Sequence, residues 1–197
     1  MENGVDVNIQ SKSGYTPLFN ACNEGRDNIV EYLVERGACI NTQNNNGETP
    51  IFNACNKGYK KIVKYLVEHG ADINKQSVNG WTPLFFAFKN KNEQLIKLLV
   101  EYGADINQED KNGISPLSYA CLDGNESLVK YLVERGADIN KEDHDGKTPL
   151  FNAYNGGHDT IAKYLVEHGA DINKESNDDV TPIFITNDKE HKNIEIM

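Results

Sequence analysis

The side chains in this chain best suited to chemistry are its five histidines and four cysteines. Such groups ligate metals, move protons or attack electrophiles only when converging partners hold them in place. His69 and His168 occupy the same place in two identical stretches of sequence, LVEHGADIN at 66–74 and at 165–173. These stretches recur three periods apart; stacked as layers of about 10 Å each, they put the two rings roughly 30 Å apart, too far to share a metal. His144 falls at a turn tip and His158 at the start of a helix, where both read as solvated surface residues. There is no C-x-x-C, H-E-x-x-H, P-loop or G-x-S-x-G anywhere in the chain. Its glycines fall at turns and helix ends, not in a phosphate cradle. No catalysis, cofactor or metal is expected.

The cysteines follow the same period. Cys22, Cys55 and Cys121 share one register position, while Cys39 replaces the Asp of a recurring Gly-Ala-Asp. Helices in neighbouring layers lie about 8–10 Å apart, and a disulfide needs Cα atoms within about 7 Å. Cys22 and Cys55 are therefore expected as unbridged, packed residues and Cys39 as the exposed thiol. A reducing compartment follows, the cytoplasm first and the nucleus second.

The positioning elements come from the repeat. A Thr-Pro or Ser-Pro step falls at Thr16, Thr49, Thr82, Ser115, Thr148 and Thr181, 33 residues apart without insertion. A fixed period of this size marks a stacked-repeat architecture. Each unit reads as helix, tight turn, helix and long loop. The hydroxyl before Pro is expected to cap the first helix, and Gly25, Gly58, Gly124 and Gly157 to end it in a left-handed conformation. Lys91 stands where that glycine is expected in the third unit, which predicts the left-handed residue at Asn90 or Asn92 instead. Ile29, Val30, Leu33 and Val34 give the second helix its buried stripe. Lys64–Glu68, Lys97–Glu101, Lys130–Glu134 and Lys163–Glu167 are spaced i,i+4 and read as a solvated back face. Asn-Gly at 46–47, 79–80 and 112–113 predicts tight turns joining two short extended arms.

The expected organisation is one array over residues 1–197. Residues 1–10 look like the tail of a preceding unit, full repeats span 11–43, 44–76, 77–109, 110–142 and 143–175, and a partial unit spans 176–197. That last unit has Asp179, Thr186 and Glu190 where its siblings have Gly, Ala and Gly, a drift that suits a terminal cap. The net charge of −10 and the lack of a Lys/Arg cluster argue against nucleic acid or an anionic membrane as partner. No apolar run approaches the roughly 20 residues of a spanning helix, so direct membrane insertion is not expected.

The period and the pattern D-x-x-G-x-T-P-L … G … I-V-x-x-L-L-x-x-G-A-D-V-N resemble the ankyrin repeat. The resemblance implies an all-α solenoid of stacked helix-turn-helix units with projecting β-hairpin loops. One departure is consistent: the His usual after T-P-L is replaced by Phe19, Phe52, Phe85, Ser118, Phe151 and Phe184. In arrays of this kind the residue before Thr-Pro, the end of the first helix and the turn tips line the groove where partners dock. By register the partner-binding set is Tyr15, Asn56, Lys57, Asn79, Trp81, Lys89, Lys111, Ile114, Leu122 and Asp123. Phe86, Phe88 and Tyr119 are expected as filler between layers. The resemblance also implies possible asparagine hydroxylation at Asn74, Asn107, Asn140 and Asn173, positions where an Asn bracing its own turn is the simpler reading.

The function these readings imply is a non-catalytic module that binds a protein or peptide, as a monomer or with weak end-to-end self-association. The alternative is a regulatory or substrate-recruiting segment of a larger enzyme, channel or ubiquitin-ligase adaptor, since the units at both ends are incomplete.

Overall fold

The computed structural model describes residues 6–178, 180 and 181. The drift at Asp179, Thr186 and Glu190, and Phe184 with it, lie outside the described residues. The chain divides into two compact units, Met1–Asp105 and Ile106–Met197. Unit 1 holds α1 (Pro17–Asn23), α2 (Asp27–Glu35), α3 (Pro50–Lys57), α4 (Lys60–Glu68), α5 (Pro83–Lys89) and α6 (Glu93–Glu101). Unit 2 holds α7 (Pro116–Leu122), α8 (Glu126–Glu134), α9 (Pro149–Gly156) and α10 (Asp159–Glu167). Among the described residues all regular structure is helical.

Each odd-numbered helix pairs with the even-numbered one that follows it. Layers then stack: α1 on α3, α3 on α5 and α2 on α4 in unit 1, α7 on α9 and α8 on α10 in unit 2. In unit 1 the core between first helices is Leu18, Phe19 and Cys22 against Ile51, Phe52 and Cys55, then Leu84, Phe85 and Ala87. Ile62, Leu66, Leu95 and Leu99 fill the second-helix rank. In unit 2, Leu117, Cys121, Leu150 and Ala153 face Leu128, Leu132, Ile161 and Leu165 in the same way. What a neighbouring layer contributes is visible at α2. Ile29 is 50% exposed, whereas its register mates Ile62 and Leu95 are 1% and 0% exposed.

The phenylalanines that stand in for His are buried at Phe19, Phe52, Phe85 and Phe151, and the capping differs from layer to layer. Ser115 Oγ accepts from Ser118 N–H at 3.2 Å and Thr148 Oγ1 from Phe151 N–H at 3.3 Å, as expected. Thr16, Thr49 and Thr82 make no such cap. In two of these units the N–H that the hydroxyl would take is donated to the threonine's own carbonyl, Phe52 to Thr49 at 3.0 Å and Phe85 to Thr82 at 3.1 Å. The first turn there closes tightly and leaves the Thr49 hydroxyl buried without a partner.

The helix ends also correct one expectation. Lys91 itself takes the left-handed conformation, at φ 52°, and neither Asn90 nor Asn92 does. Both asparagines are occupied: Asn90 Nδ2 donates to the Asn56 and Phe86 carbonyls, and Asn92 Oδ1 caps α6 through Leu95 N–H at 3.1 Å. Gly25 is favoured by its φ of 66°, and it also lies close under the next layer. A Cβ there would lie 2.7 Å from the Tyr59 ring of the next layer. On the back face, Lys64 lies 3.8 Å from Glu68 and Lys97 2.6 Å from Glu93, one turn upstream of it. Lys61 reaches across layers to Asp27 at 3.2 Å and Glu31 at 3.6 Å.

The loops carry two ladders. Each of the first five arm pairs is closed by two backbone bonds, as in Ser11 N–H to Tyr15 O with Gly14 N–H to Ser11 O, and Ser77 N–H to Trp81 O with Gly80 N–H to Ser77 O, all 2.9 Å. Adjacent tips are tied by Asn45 N–H to Ser13 O and Val78 N–H to Asn46 O in unit 1, and by His144 N–H to Asn112 O in unit 2. These bonds close the hairpin without an extended strand ladder among the described residues. The second ladder is the recurring Asn. Asn74 Nδ2 donates to Gly103 O at 3.2 Å and its Oδ1 accepts from Asp105 N–H at 2.8 Å. Asn8, Asn41 and Asn140 do the same one layer on. The reading of an Asn bracing its own turn is thus corrected. Asp72 Oδ1 braces that turn by accepting from Asn74 N–H at 3.0 Å, and Asn74 braces the next layer.

All four cysteines are free, three of them buried and Cys39 exposed. Burial pushes the Cys22 thiol up to about 12 and raises Cys55 and Cys121 as well, which suppresses the reactive thiolate. With a thiol reagent at pH 8 the native chain should show one fast-reacting cysteine, absent in Cys39→Ala, and four after denaturation. Lys91→Gly should stabilise the chain by about 1 kcal/mol, because a side chain at positive φ carries a strain that glycine escapes; the urea midpoint reads this out. Asn74→Ala should cost about 1–2 kcal/mol for two lost interlayer bonds, in the same measurement.

Candidate protein-docking surface

The residue before each Thr-Pro step varies on a fixed backbone. In unit 1 it is Tyr15, Glu48 and Trp81, each half-buried, and each carbonyl is held by an N–H four residues upstream at 2.9 Å. In unit 2 it is Ile114 and Lys147, half-buried and held the same way at 3.1 and 3.0 Å. The frame is therefore set by the turn, and the side chain projecting from it can change without disturbing the arms.

Trp81 is the centre of the most developed cluster in unit 1. Its ring meets the edge of Phe86 at 5.4 Å between centroids, and Phe86 in turn meets Phe52 at 5.5 Å. Lys89 Nζ lies over the indole, 5.4 Å from its centroid, a contact worth roughly 0.5–1 kcal/mol at an exposed site. The Trp81 backbone N–H donates to Ser77 Oγ at 3.2 Å. Beside this cluster Asn56 is half-buried, Lys57 and Asn79 are exposed, and Val78 at the arm tip is 68% exposed. Tyr15 packs edge-on against Phe19 of its own layer at 5.1 Å. In unit 2, Lys111 and Asp123 are exposed and Leu122 is 46% exposed. The Leu122 carbonyl accepts from His158 Nε2–H at 3.2 Å, which fixes the tautomer. Ile114 N–H donates to Asp110 Oδ1 at 3.0 Å.

The expected set thus lies on arm tips, arm ends and the ends of first helices: Tyr15, Asn56, Lys57, Asn79, Trp81 and Lys89 in unit 1, Lys111, Ile114, Leu122 and Asp123 in unit 2. Register alone did not reveal that Phe86 and Lys89 hold Trp81 from two sides. It equally missed the Asn90 amide, which clamps α5 to α3 through the Asn56 carbonyl at 2.6 Å. The filler residues are less buried than expected. Phe86, Phe88 and Tyr119 are all half-buried, and the Tyr119 O–H donates to the buried Asp110 Oδ2 at 3.2 Å. Burial and the Asp110 charge push that phenol up to about 12.

Asn74, Asn107 and Asn140 each accept, through Oδ1, the backbone N–H two residues after the glycine that ends the next layer. Asn173 N–H donates to Asp171 Oδ1 at 2.9 Å. Among the described residues no group of three or more His, Cys, Asp or Glu is gathered as a metal site, and no helix is long and apolar enough to cross a membrane.

Comparison with curated proteins returns no match. A family model described as ankyrin repeats, in three copies, matches residues 1–77, 40–110, 72–143 and 137–194. These matches run through both units and follow the same helix pairs and turns, so the chain belongs to the ankyrin-repeat family.

Proposed function

We propose that this chain is a non-catalytic docking module that holds a protein or peptide on the surface made by its arms and first helices. Ankyrin repeats are generally protein-interaction modules. The observation that carries the finer reading is the separation of frame from variable side chains. The arm closures and the Asn ladder repeat from layer to layer, while the residue they present changes from Tyr15 to Glu48 to Trp81. A half-exposed aromatic held rigidly among polar neighbours is the usual anatomy of an interface anchor. The period crosses position 105 without insertion, which supports one array as the working unit. The free thiols support a reducing compartment. Hydroxylation at Asn74, Asn107 or Asn140 would require the side chain to leave its hydrogen bonds, and so belongs to an opened loop.

The test is a photo-reactive residue placed at position 57 or 79, and in control chains at the exposed back-face positions 64 or 163, in a native extract. Cross-links to one partner from the first pair alone are expected. Trp81→Ala should then weaken that partner by about 1–3 kcal/mol, measured by calorimetry well below the melting midpoint, since the ring also packs on Phe86. Equal yields from front and back, or unchanged affinity of the variant, would remove this surface from the proposal.

A further inference from the structure

We infer that in unit 1 the surface around Trp81 takes an acidic peptide: an extended segment with an apolar side chain for the indole and carboxylates for Lys57 and Lys89. The inference rests on the docking reading above and names the chemistry of its partner.

The chain carries a net charge of −10, yet the ends of α3 and α5 present lysines. Lys57 is exposed and makes no ion pair among the described residues. Lys89 is exposed, and its ammonium lies on the indole face instead of on a carboxylate. The Asn90 clamp joins the ends of these two helices, so the lysines stand on adjacent layers, whose helices pack about 8–10 Å apart. That distance is roughly three residues of extended chain. Phe86 packs edge-on against the Trp81 ring, Ser77 Oγ accepts from the Trp81 backbone N–H, and Val78 on the same arm adds exposed apolar surface.

The positive region is short. Glu24 is exposed at the end of α1, in register with Lys57, and Glu48 stands before α3 in the place that Trp81 takes before α5. A long polyanion such as a nucleic-acid strand would meet these carboxylates. A short segment needs to place its carboxylates only at the two lysines, and charge complementarity would also exclude basic segments.

The probe is a fluorescein-labelled peptide, Gly-Glu-Glu-Leu-Leu-Glu-Glu-Gly, compared with its Gln and Lys counterparts and with a twelve-nucleotide thymidine strand. Binding is followed by anisotropy at low salt and by the fluorescence of Trp81, the only Trp in the chain. The acidic peptide should bind at least about ten-fold tighter than the Gln peptide and perturb the Trp81 emission. It should also weaken as salt is raised. Lys57→Glu and Lys89→Glu should each lower its affinity by about ten-fold or more, with Lys163→Glu on α10 unchanged. Circular dichroism and the melting midpoint verify that each variant is folded. Acidic and Gln peptides that bind alike and both perturb Trp81 would overturn the acidic chemistry and leave the docking reading standing. Failure of the acidic peptide to bind overturns the inference too, and the docking reading is then judged by its own cross-links. Tighter binding of the thymidine strand, with the same lysine dependence, would overturn it in favour of nucleic acid.

Discussion

Each layer of this chain owes its structure to the neighbour it lies against. The helices run to only seven to nine residues, too short to persist alone in water, and a single helix pair has no face that closes on itself. Ile29 shows the consequence directly: it is half exposed on α2, while its register mates Ile62 and Leu95 are buried. The same constraint explains the phenylalanines after Thr-Pro. Replacing a polar side chain by Phe19, Phe52 or Phe85 forgoes a local polar link near the helix start and gains apolar area between layers.

Stacking alone would leave the layers free to slide, and the loops prevent this. The side chains of Asn8, Asn41, Asn74 and Asn140 each bond a carbonyl and an N–H of the following layer, 29 and 31 residues on. The arm tips add a backbone bond between neighbours. Because these bonds use backbone groups and one invariant side chain, they place no demand on the residues that face outward. That independence lets one frame present Tyr15, Trp81 or Ile114 from equivalent positions, and it is the structural reason a repeat array can acquire a specific partner without losing stability.

Unit 1 shows how such a position becomes more than a variable residue. Trp81 is half-buried; Phe86 packs edge-on against its ring and Lys89 covers its face, so the side chain keeps little conformational freedom. The lysines at 57 and 89 lie on or near this cluster in a chain that is acidic as a whole.

Periodicity in the sequence determined the repeat, the five helix pairs, the glycine ends and the free cysteines, because each depends on spacing along one unit and spacing is local. It also placed the variable positions on arms and helix ends. Of the expected stripe on α2 only Val30 and Leu33 are buried, with Ile29 half exposed and Val34 half-buried. What tertiary structure decided were the contacts that jump a layer: the Asn74 amide on Gly103 and Asp105 instead of its own turn, the Asn90 amide on Asn56, and the Phe52–Phe86–Trp81 chain. Lys91 belongs with these. Its neighbours are better left-handed residues by propensity, but each is held elsewhere by a cap or a clamp, so the strain falls on the lysine. The period reports which residues share a position; which of them touch depends on side-chain reach across a gap between layers, and that is set only once the layers are in place.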